Sequence, residues 1–270
     1  MTKRFLEKTV LITGASSGIG AALARELATQ GAALTLCGRR LDRLQELKRE
    51  FDAQNRRCII RQCDVNKTSE LEEAVNATVK EFGKLDVLVA NAGFGVVGNF
   101  ETLEIEDYRR QFETNVFGLL ATAKAGLSEL KKSRGVLVLL GSVASYVSLP
   151  GNTAYAMSKF AVRAFAEGVT PELKSAGVSV VLISPGFVES EIRRVDNRGQ
   201  LQAEAADPVN AWLQMPADRA ARIIARAIAK RKREKIVTFH GIIAVLLKRH
   251  FRGVFFWLAS RGLRSRREPG

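Results

Sequence analysis

At 270 residues, 46% of them hydrophobic and 26% charged, the chain can build one large α/β core or two small domains, and wholesale disorder is excluded. Its formal charge of +14 is uneven, loaded on Arg219, Arg222, Arg226, Lys230, Arg231, Lys232, Arg233 and Lys235, and again on Arg261, Arg264, Arg266 and Arg267. No zinc-finger spacing or aromatic RNA-binding motif accompanies that charge, so it points to solvated surface or anionic lipid and not to nucleic acid.

The first eight residues are basic and carry no apolar run, so no secretory signal is expected there. Short β-branched runs then alternate with longer amphipathic stretches, the pattern of parallel strands joined by crossover helices. Strands are predicted at 9–13, 33–37, 57–63, 87–90, 136–140, 178–183 and 235–239. Helices are predicted at 17–29, 41–51, 69–82, 108–132, 154–176 and 218–230. Several strands are apolar throughout rather than alternating, as in a sheet covered by helices on both faces. No Pro/Gly-rich linker divides residues 1–240, which read as one domain with residues 191–215 as a lid over the open end of the sheet. Cys37 and Cys58 lie in apolar runs and Cys63 ends one, so all three read as reduced packing residues of a cytosol-facing protein.

The first strand runs into Thr13-Gly14-Ala15-Ser16-Ser17-Gly18-Ile19-Gly20, which opens the first helix. Gly14 permits a tight turn, Gly18 a close approach of backbone to a pyrophosphate, and Gly20 close packing of helix on strand. The helix N-terminus adds unpaired N–H groups and the positive end of its dipole. No Lys-Ser/Thr pair follows the glycines, which excludes the usual nucleoside-triphosphate loop.

The second strand ends Cys37-Gly38-Arg39-Arg40, where a site for NAD usually places a carboxylate for the ribose 2′-hydroxyl. Two guanidiniums there suit a 2′-phosphate, Arg39 first and Arg40 second, so NADP(H) is the expected cofactor; alternatively both face water. Asp42 is expected to cap the next helix. Asp64 and Val65, after the third strand, could border the adenine. Asn91, Ala92 and Gly93, after the fourth, combine a side chain able to bond backbone with small residues that admit a ribose. Each of these also fits an ordinary strand-end turn.

Asn115 falls inside the long helix predicted at 108–132, where Asn is not favoured. It either bonds backbone locally or holds a water in line with Lys159. Ser142 follows the fifth strand. Tyr155 lies further on, and Lys159 stands one helical turn beyond it on the same face. Interconverting a carbonyl and an alcohol requires a proton at oxygen as hydride moves at carbon. A free tyrosine, with a pKa of roughly 10, is a poor base near neutrality, and an adjacent ammonium favours its phenolate. Ser142 could hold the substrate oxygen beside the phenol. Packing alone also produces Tyr/Lys pairs at this spacing.

Beyond residue 240 the run GIIAVLLKRHFRGVFFWLAS is broken by Lys248, Arg249, His250 and Arg252, and its apolar pieces are too short to cross a bilayer. Residues 241–267 are expected to lie on an anionic membrane surface, with Phe251, Phe255, Phe256 and Trp257 toward lipid. The alternative is cover for a neighbouring subunit or a wall of the substrate pocket. Trp212, Leu213 and Met215 in the lid could line an apolar pocket. His240 and His250 have no visible partners for a metal, and none is expected.

In this order the motifs resemble those of the short-chain dehydrogenase/reductase family, classical type, over nearly the whole chain to about residue 239. Thr13 to Gly20 looks like the family's glycine motif and Asn91 to Gly93 like its central-sheet motif, with Ala90 where an asparagine is frequent. Asn115, Ser142, Tyr155 and Lys159 fall on its catalytic tetrad. Pro185 and Gly186 resemble its nicotinamide-side turn. By the same resemblance Val188 offers backbone to the carboxamide, and Ser190, where threonine is common, contacts the cofactor near its phosphates. The resemblance implies a doubly wound Rossmann fold with a seven-stranded parallel sheet and helices on both faces. It also implies a cytoplasmic oxidoreductase using NADP(H) on a small carbonyl or secondary alcohol, with Tyr155 as acid or base. The apolar tail and lid make that substrate an apolar one. Assembly as a homo-dimer or homo-tetramer through the helices carrying Asn115 and Tyr155 is a further implication. The competing readings are an NADPH sensor and a membrane-anchored scaffold without turnover.

Overall fold

Continuously apolar strands need cover on both sides, and this sheet has it. In a computed structural model describing residues 3–202 and 204–257, seven strands lie parallel in the order β3-β2-β1-β4-β5-β6-β7. They are β1 (Thr9–Thr13), β2 (Ala33–Gly38), β3 (Cys58–Gln62), β4 (Val87–Ala90), β5 (Val136–Leu140), β6 (Ser179–Ser184) and β7 (Glu234–Ile236). Val10 and Ile12 of β1 join one core, with α1 (Gly18–Thr29), α2 (Leu41–Ala53) and α7 (Ala217–Ala229). Leu11, between them, joins the opposite core with α3 (Thr68–Phe82), α5 (Gly118–Ser133) and α6 (Thr153–Lys174). This is the period of two that sends successive side chains to opposite faces. The three cysteines are free and buried.

The order reverses at β1, which pairs with β2 on one side and β4 on the other. Loops leaving the two neighbours diverge, opening a crevice at the carboxyl ends of the strands.

Four expected elements differ. The helix predicted at 108–132 is α4 (Ile105–Phe112), a π-helical turn Glu113–Phe117, and then α5. The strand predicted at 235–239 ends at Ile236, because Thr238 stands at the N-cap of α8 (Phe239–His250). The apolar segment from 241 is therefore part of a helix that begins earlier and stops at Phe251; helical backbone resumes at Arg252 and runs to Trp257. Residues from 258 on, including the rest of the expected lipid-facing segment, lie outside the described residues. Arg40, not Asp42, is at the N-cap of α2. Asp42 sits inside the first turn, where its charge meets the positive end of the dipole.

Two glycines separate packing from propensity. A Cβ on Gly20 would lie 2.3 Å from the Gly14 carbonyl oxygen and 2.7 Å from Asn91 Nδ2, whereas one on Gly168, in α6, meets nothing within 4 Å. In urea titrations, Gly20→Ala is expected to lower unfolding free energy by about 1–3 kcal/mol through overpacking. Gly168→Ala is expected to raise it by about 0.5–1 kcal/mol through helix propensity.

Candidate active site

The turn after β1 takes backbone that only glycine adopts readily, with φ of +65° at Gly14 and +52° at Gly18. It is clamped to the turn after β4. Asn91 Nδ2 donates to the carbonyls of Thr13 (2.9 Å) and Gly14 (3.0 Å), and Thr13 Oγ1 accepts from the N–H of Asn91 at 3.1 Å and of Ala92 at 3.3 Å. The backbone bonding expected of Asn91 thus goes to the glycine turn itself. Ser17, the N-cap of α1, makes no side-chain cap bond, so the first-turn N–H groups are not consumed by it.

Arg40 closes this end. One guanidinium nitrogen pairs with Glu191 at 2.8 Å, and the other donates to Ser17 Oγ (2.6 Å) and Ser16 Oγ (3.3 Å). Burial pushes the Glu191 carboxyl up, but the hydrogen bond and charge of Arg40 outweigh it and hold the group below its ordinary value. Arg39 is exposed and reaches the Gly199 carbonyl at 3.5 Å.

A cleft of about 630 Å³ runs from this turn to the ends of β5 and β6. Gly14, Ser17, Gly18, Ile19, Gly20, Arg39, Arg40, Asn91, Ala92 and Gly93 line one part of it, and Ser142, Tyr155, Lys159, Pro185, Gly186, Val188 and Ser190 the rest. Ser16 borders it through Arg40. Asp64 and Val65 are not in its lining: the Asp64 carboxylate accepts from the Asn66 N–H, and Val65 is buried against Gly118.

At the other end, Tyr155 occupies the first turn of α6, and the nearby Ser142 hydroxyl favours its phenolate. The Ser142 hydroxyl also accepts from the Ala144 N–H at 3.1 Å. Lys159, 5% exposed, places Nζ 5.7 Å from the Tyr155 ring centroid and donates to the Leu140 carbonyl at 2.8 Å. Burial pushes its ammonium down to about 8. The phenol moves the other way: burial raises it, against the Ser142 hydroxyl and the charge of Arg193. The charge that offsets burial is that of Arg193, which the sequence reading did not single out, and not that of the lysine expected in this role.

Asn115, 1% exposed, sits in the π turn. Its Oδ1 accepts from the Phe94 N–H at 3.1 Å, and its Nδ2 donates to the Phe94 carbonyl (3.0 Å) and Ser158 Oγ (3.2 Å). The bonds run to backbone, but to a distant loop rather than to its own helix. A Cβ on Gly93 would lie 2.9 Å from Asn115 Oδ1 and 3.8 Å from Lys159 Nζ, which brings all three residues to one place.

The lid differs from expectation. Trp212 is 82% exposed and lines no part of the cleft, and Met215 packs against the core beside Val188. The lid's cleft side is Glu191, Ile192, Arg193, Val195 and residues 198–201. Arg193 is fixed there by Asp207 at 2.6 Å, Gln214 at 2.8 Å and the Val188 carbonyl at 3.2 Å. His240, for which no metal-binding partner was visible, accepts from the Phe187 N–H at 3.0 Å. Neither residue had a local sequence signal.

The profile of the short chain dehydrogenase family matches residues 8–201. A Myxococcus xanthus protein described as an uncharacterized oxidoreductase is 40% identical over 191 residues, covering 70% of this chain and 76% of its own. The 11-beta-hydroxysteroid dehydrogenase 1A of Arabidopsis thaliana is 39% identical over 189 residues, 68% of this chain and 53% of its own, so this chain spans about half the length of that plant relative. Among solved structures, an alcohol dehydrogenase from Thermococcus sibiricus complexed with 5-hydroxy-NADP superposes with a TM-score of 0.73 at 30% identity, over 85% of this chain and 95% of that one. A short chain dehydrogenase/reductase from Burkholderia phymatum in complex with NAD does so with a TM-score of 0.83 at 25% identity, over 94% and 96%. On the family match and the shared fold, this chain belongs to the short-chain dehydrogenase/reductase family of oxidoreductases.

Proposed function

We propose that the chain is an NADP(H)-dependent reductase/dehydrogenase interconverting a carbonyl and a secondary alcohol on an apolar substrate, with Tyr155 exchanging the proton. The observation that carries this reading is the Tyr155–Ser142 hydroxyl pair, backed by buried Lys159, in the same cleft as the glycine turn. The cradle suits a dinucleotide. Gly18 could not carry a side chain without meeting Ser190, nor Gly93 without meeting Asn115, and the first turn of α1 has no side-chain cap. That turn and Ser190 would hold the phosphates, and Pro185, Gly186 and Val188 would wall the nicotinamide end. The bound cofactor supplies hydride to the carbonyl carbon, or takes it from the alcohol.

Everything else falls to the chain. Ser142 and Tyr155 hold the substrate oxygen. Burial keeps the phenol protonated near neutrality, the form that donates in carbonyl reduction. Asn115 and Lys159 fix the ground behind it through Phe94, Ser158 and Leu140. Phe94, Ile192, Val195 and Leu201 put apolar surface into the lining, beside Arg193, Arg198 and Gln200, in keeping with the steroid named for the plant relative. Relatives occur with NADP-type and with NAD ligands, so the preference for NADP(H) rests on Arg39 and Arg40. Arg40 already has a carboxylate partner, whereas Arg39 meets a backbone carbonyl.

A second reading concerns where the enzyme works, and α8 favours it. Phe239, Ile243 and Leu246, spaced along one helical face, are 75%, 49% and 48% exposed, and Phe251, Val254 and Phe256 are exposed beyond them. Arg249 and Arg252 are exposed beside this face. Among the described residues no helix is long and apolar enough to cross a membrane. An apolar stripe edged with arginine complements an anionic bilayer surface, and we take that surface as its occupant.

Three outcomes are expected. Tyr155→Phe lowers carbonyl-dependent NADPH oxidation by about 10²–10⁴-fold while NADPH affinity, read by fluorescence titration, is kept. Strong residual turnover at neutral pH counts against Tyr155 as the acid. Arg39→Asp weakens NADPH binding by about 10–100-fold and shifts preference toward NADH, as expected for loss of a charge-assisted bond; unchanged NADPH affinity defeats that assignment. In sedimentation with vesicles, the full chain binds phosphatidylserine-containing bilayers more strongly than pure phosphatidylcholine, and a doubly substituted Ile243→Glu, Leu246→Glu chain does not bind. Self-association that the same substitutions abolish, without vesicle binding, would give the face to a second copy instead.

A further inference from the structure

Behind the reacting end of the cleft, the corner between β7 and α8 is packed without slack against the turn after β6. Pro185, Gly186 and Val188 line the cleft; Phe187, between them, does not. Both hydrogen-bonding groups of Phe187 are taken from outside the turn. Its N–H donates to His240 Nε2 at 3.0 Å, and its carbonyl accepts from the Met215 N–H at 2.9 Å. Its ring stacks on the imidazole, with centroids 5.4 Å apart and planes 25° from parallel.

Gly186 shows how close this contact is. A Cβ there would lie 2.3 Å from Thr238 Oγ1 and 2.5 Å from His240 Nε2. The same corner presses on the other side of the site, because a Cβ on Gly241 would lie 2.5 Å from Val143 Cγ2, next to Ser142. Thr238, fully buried, has no hydrogen-bond partner for its hydroxyl among the described residues. His240 is thus the side chain from this corner that bonds the turn.

We propose that His240 is a positioning residue, fixing through the Phe187 N–H the turn whose other members wall the nicotinamide end of the cleft. The proposal rests on the reading of that cleft as a dinucleotide site. To accept from an amide, Nε2 must carry no proton, so the ring is neutral with its hydrogen on Nδ1. Burial favours that form by lowering the imidazole below its ordinary value. Without the acceptor, a part-buried amide loses its partner and the turn is free to shift. A displacement of this kind lowers hydride-transfer rate more than affinity, since the phosphate end of the cleft is untouched.

The test compares His240→Ala, His240→Asn and His240→Gln in the full chain. Glutamine can put a carbonyl oxygen near the place of Nε2, and asparagine is too short. The alanine and asparagine variants are expected to lose about tenfold in kcat, with the NADPH dissociation constant changed by less than about threefold; glutamine restores kcat to within about threefold. Hydrogen exchange at the Phe187 amide should be faster in the first two and near wild type in the third. Wild-type kcat in His240→Ala, or equal loss in all three variants, overturns the proposal. A wild-type chain that binds no NADPH removes the dinucleotide reading instead, and the exchange result, which needs no turnover, then separately decides whether His240 holds the turn.

Discussion

The site exists because two parallel strands, β1 and β4, end side by side while their chains must depart in different directions. Neither end is stable alone. The Thr13 and Gly14 carbonyls would be left without partners if Asn91 did not donate to both, and the Asn91 and Ala92 amides would lack the Thr13 hydroxyl. Once the two turns are laced together, α1 must start on top of the first of them, and only a glycine at position 20 allows that approach. The crevice, the uncapped first turn and the small residues around it follow from one packing requirement. The crevice we read as a dinucleotide site is what remains when the backbone polar groups at a strand-order reversal have been satisfied from within.

Burial sets the chemistry at the far end. Tyr155 and Lys159 are both pushed toward their neutral forms, the phenol upward and the ammonium downward. The two effects are not equal in consequence near neutrality. A tyrosine moved up from its ordinary value stays protonated, whereas a lysine brought down to about 8 keeps most of its charge but gives it up readily. The Leu140 carbonyl is a dipole and not a counter-charge, so it offsets only part of the desolvation. The resting state is therefore a neutral phenol with a loosely held cation behind it, which suits the proton exchange we propose for Tyr155.

What the sequence made legible was local. Strand runs, the glycine turn and the Tyr155/Lys159 spacing are readable because each depends on neighbours within a turn or a strand. The helix expected through Asn115 was broken for a reason that lies elsewhere: Phe94 and Ser158, 21 and 43 residues away, take its amide. Arg193 was not singled out and His240 was weighed only as a metal ligand, because Asp207 and Phe187 become their partners only after folding. Trp212 shows the opposite error, an apolar residue read as pocket lining that lies in solvent. Apolar character predicts burial on average and says nothing about which surface a given residue will face.

The C-terminal helix ties these threads to the surface. Its inner side carries His240 under the Phe187 amide and Lys248, whose ammonium donates to the Tyr146 carbonyl, while Phe255 beyond it packs on Tyr146 and Val147. These contacts reach both walls of the reacting end, the turn after β6 and the helical turn Val143–Ser145 that follows Ser142. Its outer side presents Phe239, Ile243 and Leu246 to solvent. Phe239 on the outer side adjoins His240 in the chain, so the exposed face and the residue we propose to position the turn after β6 meet within one peptide unit. The segment that looked least like the rest of the chain thereby packs against both walls of the candidate site on its inner side while it keeps an apolar outer face.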